Sequence, residues 1–159
     1  MRRVVPVSLA CALLAGLGVP AVGAPVSASP RAWAVLERCH PAPVPAERFA
    51  VFGGTMRSPR QGQDRMDMRF DLFSRAQGAI AFRRLAAPGL GVWNHAQPGV
   101  LRFHFRQRVV NLAAPAAYRA VVSFRWLDEF GFVFAKASHA TPACQQPDLR
   151  PRSSRHTSR

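Results

Sequence analysis

Helical periodicity is almost absent from this chain of 159 residues. No long stretch repeats apolar residues at the spacing of an amphipathic helix, and strict alternation takes its place. Lysine is nearly missing too: of 22 basic residues, 21 are arginine and Lys136 stands alone. A GC-rich genome explains that skew most simply, so arginine in place of lysine carries little functional weight. Acidic residues are few, 8 against 22 cations, and the formal net charge is +14. An excess of that size creates a field that attracts polyanions. Catalytic constellations are lacking as well. The serines have no nucleophile-elbow context, the aspartates alternate with arginine on one strand face, and the five histidines are scattered. No catalytic residue, cofactor site or metal site is expected.

The one long uncharged run is at the start. Met1-Arg2-Arg3 forms a short positive region, and Val4 to Val22 carries no charge. Small residues at Gly23, Ala24 and Ala28 offer cleavage sites, completing the pattern of a secretory signal peptide over 1–24. Pro25 disfavours cleavage directly after Ala24, which leaves Gly23 and Ala28 as alternatives. A retained membrane anchor is the rival reading, but Pro6, Pro20 and three glycines weaken the run as a spanning helix. No stable membrane span is expected after cleavage. Cys11 lies inside the apolar run without a leucine three residues before it, which argues against lipidation.

Once the leader is gone, the cysteines are two, Cys39 and Cys144. An even pair in an exported chain reads most simply as a disulfide. It closes a loop of about 105 residues, for which the chain-entropy account gives roughly 4.7 kcal/mol. Two buried thiols, or a metal site with His40 and His139, are the competing readings, and neither histidine falls in a zinc-site spacing.

The remainder suits one domain. Residues 25–37 are read as a linker, 38–146 as the folded body and 147–159 as a basic tail with little to bury. Setting aside Arg2, Arg3, Arg150, Arg152, Arg155 and Arg159 leaves 16 basic residues against 8 acidic ones. The body is basic in its own right, and the chain's 11 Phe and 3 Trp are ample for a core.

Alternation places the strands. Ala32 to Cys39 reads as a first strand or short helical turn, and Phe49 to Met56 as a strand with a bulge or close backbone approach at Gly53-Gly54. Arg65 to Ser74 sets Met66, Met68, Phe70 and Leu72 on one face, with Asp67, Arg69 and Asp71 on the other. Turns at Ser58–Gln63 and Gln77-Gly78 flank it, and Ile80 and Phe82 mark a shorter strand. Leu101, Phe103 and Phe105 then alternate with Arg102, His104, Arg106 and Arg108. Tyr118, Ala120, Val122, Phe124 and Trp126 alternate with Arg119, Ser123 and Arg125. A turn at Asp128-Glu-Phe-Gly131 leads to a closing strand over Phe132–His139. About seven short, regularly spaced strands predict an all-β sandwich of antiparallel strands.

Leu112-Ala-Ala-Pro115-Ala-Ala-Tyr118, running into Val121-Val-Ser-Phe-Arg-Trp126, resembles the E–F corner of fibronectin type III-like and related immunoglobulin-like domains. There the tyrosine hydroxyl bonds to backbone upstream and pins the crossover between sheets, a structural role the resemblance assigns to Tyr118. A wider set of segments extends the likeness over roughly residues 36–151. It comprises Arg38-Cys39, Gly54-Thr-Met-Arg57, Asp64-Arg-Met-Asp-Met-Arg-Phe70, Ala87-Pro-Gly-Leu-Gly91, Arg106-Gln-Arg-Val-Val-Asn-Leu112, Tyr118-Arg119, Phe124-Arg-Trp126 and Cys144-Gln-Gln-Pro-Asp-Leu-Arg-Pro151. Together they resemble an exported actinobacterial module found in front of bacterial cell-adhesion-related (CARDB-type) domains. The likeness stops at Arg152, where an Arg/Ser tail replaces any further domain, and it implies no defined activity.

The sharpest candidate site is the stripe Arg102, His104, Arg106 and Arg108, which the resemblance places on strand E, facing solvent. Arg119 and Arg125 are expected beside Asp67 and Asp71 on strand C, forming cross-strand ion pairs. The stripe has no such carboxylates in the expected sheet order, so it is a candidate surface for phosphates or carboxylates. The bland reading is a solvated face that keeps an edge strand soluble. Trp93 is read as a packed loop anchor or an exposed recognition residue, and Trp126 as core. Nucleic acid is disfavoured because the phenylalanines alternate inward, away from the arginines. The expected function is that of a secreted, non-catalytic binding, adhesion or structural module at or outside the cell surface. Candidate partners are a cell-wall or other anionic polymer, or a protein paired through a sheet edge. A truncated remnant of a multi-domain adhesion protein is the third expectation.

Overall fold

A computed structural model describes residues 31–149; the expected leader, and the tail from residue 150 on, lie outside the described residues. The strands are β1 (Ala32–His40), β2 (Phe49–Arg57), β3 (Arg65–Ala76), β4 (Arg83–Leu85), β5 (Trp93–His95), β6 (Arg102–Val110), β7 (Ala116–Leu127), β8 (Val133–Ala140) and β9 (Cys144–Gln146). They pair antiparallel into two sheets. One has the order β1-β2-β6; the other has β4-β3-β7-β8, with β5 also on β3 and β9 also on β7. In the lettering of immunoglobulin-like sandwiches this is A-B-E facing C′-C-F-G. The fold is therefore all-β and immunoglobulin-like.

Alternation built the core as anticipated. Met66, Met68, Phe70 and Leu72 of β3 and Ala120, Val122, Phe124 and Trp126 of β7 are all buried. They meet Ala50, Phe52 and Met56 of β2 from the facing sheet. The Trp126 indole N–H donates to Arg57 O at 2.8 Å and so ties the two sheets together. Gly54 sits at a close approach of the two sheets. A Cβ there would run into Met68 Sδ and lie 3.1 Å from Val122 Cγ1. Of the two readings of Gly53-Gly54, close approach is correct. The pairing of β2 with β6 runs through both glycines without a break.

Several expectations need correction. Nine strands form among the described residues where about seven were expected, because β5 and β9 are three-residue segments too short to show alternation. The strand expected at Ile80 and Phe82 is displaced to β4, and Ile80 is 97% exposed in the loop before it. Strand β1 begins at Ala32, so residues 32–37, assigned to a linker, belong to the first sheet. Leu101 precedes β6 and is exposed, not inward-facing.

The corner resemblance has its hydrogen bond. Tyr118 Oη donates to Ala113 O, five residues upstream, at 3.0 Å. Beside it Arg48, 4% exposed, donates to Ala42 O, Pro43 O and Leu112 O, so a buried guanidinium stitches the β1–β2 loop to the same corner. Cys39 of β1 is bonded to Cys144 of β9, and Cys144 lies opposite Tyr118 in the sheet. The disulfide thus joins the edge of one sheet to the corner of the other. It also removes both thiolates from any metal site with His40 and His139.

Candidate anion-binding faces

Strand β6 carries out the alternation read from the sequence. Arg102, His104, Arg106 and Arg108 are all exposed on one face, while Phe103, Phe105 and Val109 turn in against the core. The strand is the edge of its sheet. The structure therefore brings the four candidate residues together. It also corrects one expectation, because a carboxylate does reach them. Glu37 lies 2.7 Å from Arg106 Nε and 3.2 Å from His104 Nε2.

Glu37 belongs to β1, two strands away, and a local irregularity delivers it. Pairing of β1 with β2 slips between Leu36 and Arg38, which leaves Glu37 without a partner in the ladder. Its carboxylate then lies across Gly53 of β2, where any Cβ would collide with it. Gly53 is directly opposite Arg106, so the missing side chain opens a passage from strand A to strand E. The rest of the stripe is held by rings. Arg102 and Arg57 sit 5.2 and 5.5 Å from the Trp33 ring centroid, and Arg108 lies 4.2 Å from that of Phe49. His104 Nδ1 is 2.8 Å from Thr55 Oγ1. A shallow cleft of about 390 Å³ lies between Glu37, Arg38, Val51, Arg106 and Arg108. Among the described residues, Arg38 and Arg108 form no ion pair.

The outer face of the second sheet is also basic, but differently built. Arg125 Nε donates to Asp67 Oδ2 at 2.8 Å, the expected cross-strand pair. Arg119 does not pair with Asp71. Its register partner is Phe73, and its guanidinium lies 4.2 Å from the Phe82 ring centroid, leaving its buried Nε without a hydrogen-bond partner. Asp71 is met by Arg69 at 3.1 Å and by Arg84 instead. Trp93, on β5, takes both Arg69 and Arg125 against its ring, at 5.1 and 4.1 Å.

Aromatic–arginine stacking was the feature hardest to read in advance. Outward-facing rings at Trp33, Phe49, Phe82, Trp93 and Phe134 each carry at least one guanidinium. Phe49 and Trp33 could have been flagged: each shares the parity of the outward residues of its strand. Phe82 could not, because its loop has no periodicity. Burial pushes the Tyr118 phenol above the ordinary 10.0, against the lowering effects of the Ala113 carbonyl bond and the nearby Arg48 charge. Among the described residues, no three His, Cys, Asp or Glu side chains come together in a way that could hold a metal ion. No helix among them is long and apolar enough to cross a membrane.

Fold and faces together define a basic immunoglobulin-like sandwich whose outer surfaces are laced with arginine. No protein-family model, no curated protein and no solved structure matches the chain.

Proposed function

We propose that this protein is an exported, non-catalytic recognition module that binds an anionic polymer outside the cytoplasm through the outer face of β6. The observation that carries the reading is the stripe itself: four outward basic side chains on an edge strand, answered by the single carboxylate of Glu37. Guanidiniums on one extended strand suit a repeating chain of carboxylates or phosphates, since each can donate two parallel hydrogen bonds. The disulfide supports an oxidising compartment, where such bonds persist.

Retention on heparin and on isolated anionic cell-wall polymer, measured across a salt gradient, tests the proposal. Replacing Arg102, Arg106 and Arg108 together by serine should move elution to lower salt. It should also reduce the salt slope by roughly two to three, about one for each lost contact. Glu37→Gln should act oppositely and raise the salt needed for elution, because it unmasks Arg106 and His104. Equal elution of the native and triple-serine proteins, both folded, would make the stripe no more than a solvated edge.

A further inference from the structure

The second sheet holds a more compact arrangement, on residues that the β6 reading does not use. Register sets two adjacent rows of outward side chains across four strands. One runs Trp93, Arg69, Ser123, Ser138; the next runs His95, Asp67, Arg125, Lys136. Both carboxylates near the rows are already engaged. Asp67 is met through Oδ1 by His95 at 2.6 Å and through Oδ2 by Arg125, and Asp71 is met by Arg69 and Arg84. Lys136, directly opposite Arg125, has no ion pair among the described residues. Two cations facing each other across strands destabilise a sheet. Asp67 offsets Arg125 in that row, but no carboxylate among the described residues pairs with Lys136, and a cation left uncompensated beside another marks a place where a ligand belongs.

The donors around this point are prepared. Arg69 and Arg125 each give only Nε–H to their aspartate, and their terminal amino groups make no hydrogen bond among the described residues. The Trp93 ring holds both guanidiniums, so they are fixed before any ligand arrives, which lowers the ordering cost of binding. Hydroxyls of Ser123 and Ser138 line the same cleft of about 500 Å³, a size within the range of small-molecule sites. We propose that this cleft binds the carboxylate, sulfate or phosphate group of an anionic ligand, held between Lys136 and the Trp93-bound pair Arg69 and Arg125.

Amide and indole NMR titration of the exported chain, disulfide intact, would test the proposal. Inorganic phosphate, sulfate and glucuronate would be added separately at constant ionic strength, so that general screening does not mimic binding. Saturable shifts are expected at the Trp93 indole N–H and at the amides of Ser123, Lys136 and Ser138 with at least one of the three. The anion that saturates at the lowest concentration identifies the group recognised. Lys136 is exposed on an edge strand, so Lys136→Gln should fold normally. It should weaken binding roughly tenfold by removing one charge-assisted contact, and Lys136→Arg should restore it. The triple-serine variant of β6 should bind these anions as the native protein does. Shifts confined to β6, or equal affinity in Lys136→Gln, would overturn this site and leave the β6 reading standing. No saturable shift with any anion would also overturn it, while polymer retention would still decide the β6 face.

Discussion

At the scale of single residues, two positions hold the sandwich through contacts that few other side chains could make. Gly54 faces the core, and the space its absent side chain leaves is filled by Met68 and Val122, both fully buried. Gly54→Ala should therefore overpack the centre and lower stability by about 1–3 kcal/mol, read from denaturant unfolding with an unchanged slope. Gly53→Ala meets only the flexible end of Glu37, so its effect should fall on the Glu37–Arg106 pair instead. Tyr118 is the second position. Its hydroxyl bond to Ala113 stabilises the corner by about 1 kcal/mol net, so Tyr118→Phe should cost about that much at neutral pH. The phenol also links stability to pH. Burial raises its titration above 10.0, so above that pH the unfolded chain loses the proton first and the folded chain binds more protons. Stability is then fully present below 10.0 and falls as pH rises through the folded value. Unfolding measured between neutral pH and the alkaline range should show that loss in the native protein and a smaller one in Tyr118→Phe.

At the scale of elements, legibility in the sequence followed burial. Long strands with one buried face, β3 and β7, could be read residue by residue, because period-two alternation is what burial on one side demands. Strand β6 was readable for the same reason, and so was the identity of its four outward residues, Arg102, His104, Arg106 and Arg108. Short segments were not. β5 and β9 are ordered by neighbours: β5 by its ladder to Asp67–Arg69 and β9 by the disulfide and the start of β7. Three residues cannot show a period, so Trp93 appeared only as the end of a glycine-rich loop. Glu37 was missed for a different cause. Alternation says which way a side chain points only while the register holds, and the slip between Leu36 and Arg38 suspends it at this residue. Gly53-Gly54 was the visible trace of that device, since a gap in a strand face is space for something else to cross. Arg48 was missed because a lone arginine in a proline-rich loop reads as solvated, and its burial depends on two carbonyls of its own loop and one, Leu112 O, from the distant corner.

At the scale of the whole molecule, closure and charge work against each other. Residues 31–149 carry 16 cations against 8 anions, and self-repulsion of that kind favours expansion. Much of the charge is absorbed locally, by the aspartates of β3, by Glu37 and by the outward rings. What remains must be held by the sandwich and its covalent clasp. The Cys39–Cys144 bond spans 105 positions and encloses nearly every strand, so its loss should release a long stretch of chain in the unfolded state. Replacing both cysteines by alanine should lower the unfolding free energy by about 3–5 kcal/mol. Added salt should recover part of that loss by screening the arginine faces, since repulsion between exposed charges weakens as the Debye length shortens. Denaturant midpoints of the native and double-alanine proteins at low and high salt separate the two effects. A larger salt gain in the variant would show that the disulfide holds a self-repelling surface together. Equal gains would assign its contribution to chain entropy alone, with the stacked rings and aspartates already quenching the repulsion. The same arginines would then cost the fold little while remaining available to an anion, as both proposed faces require.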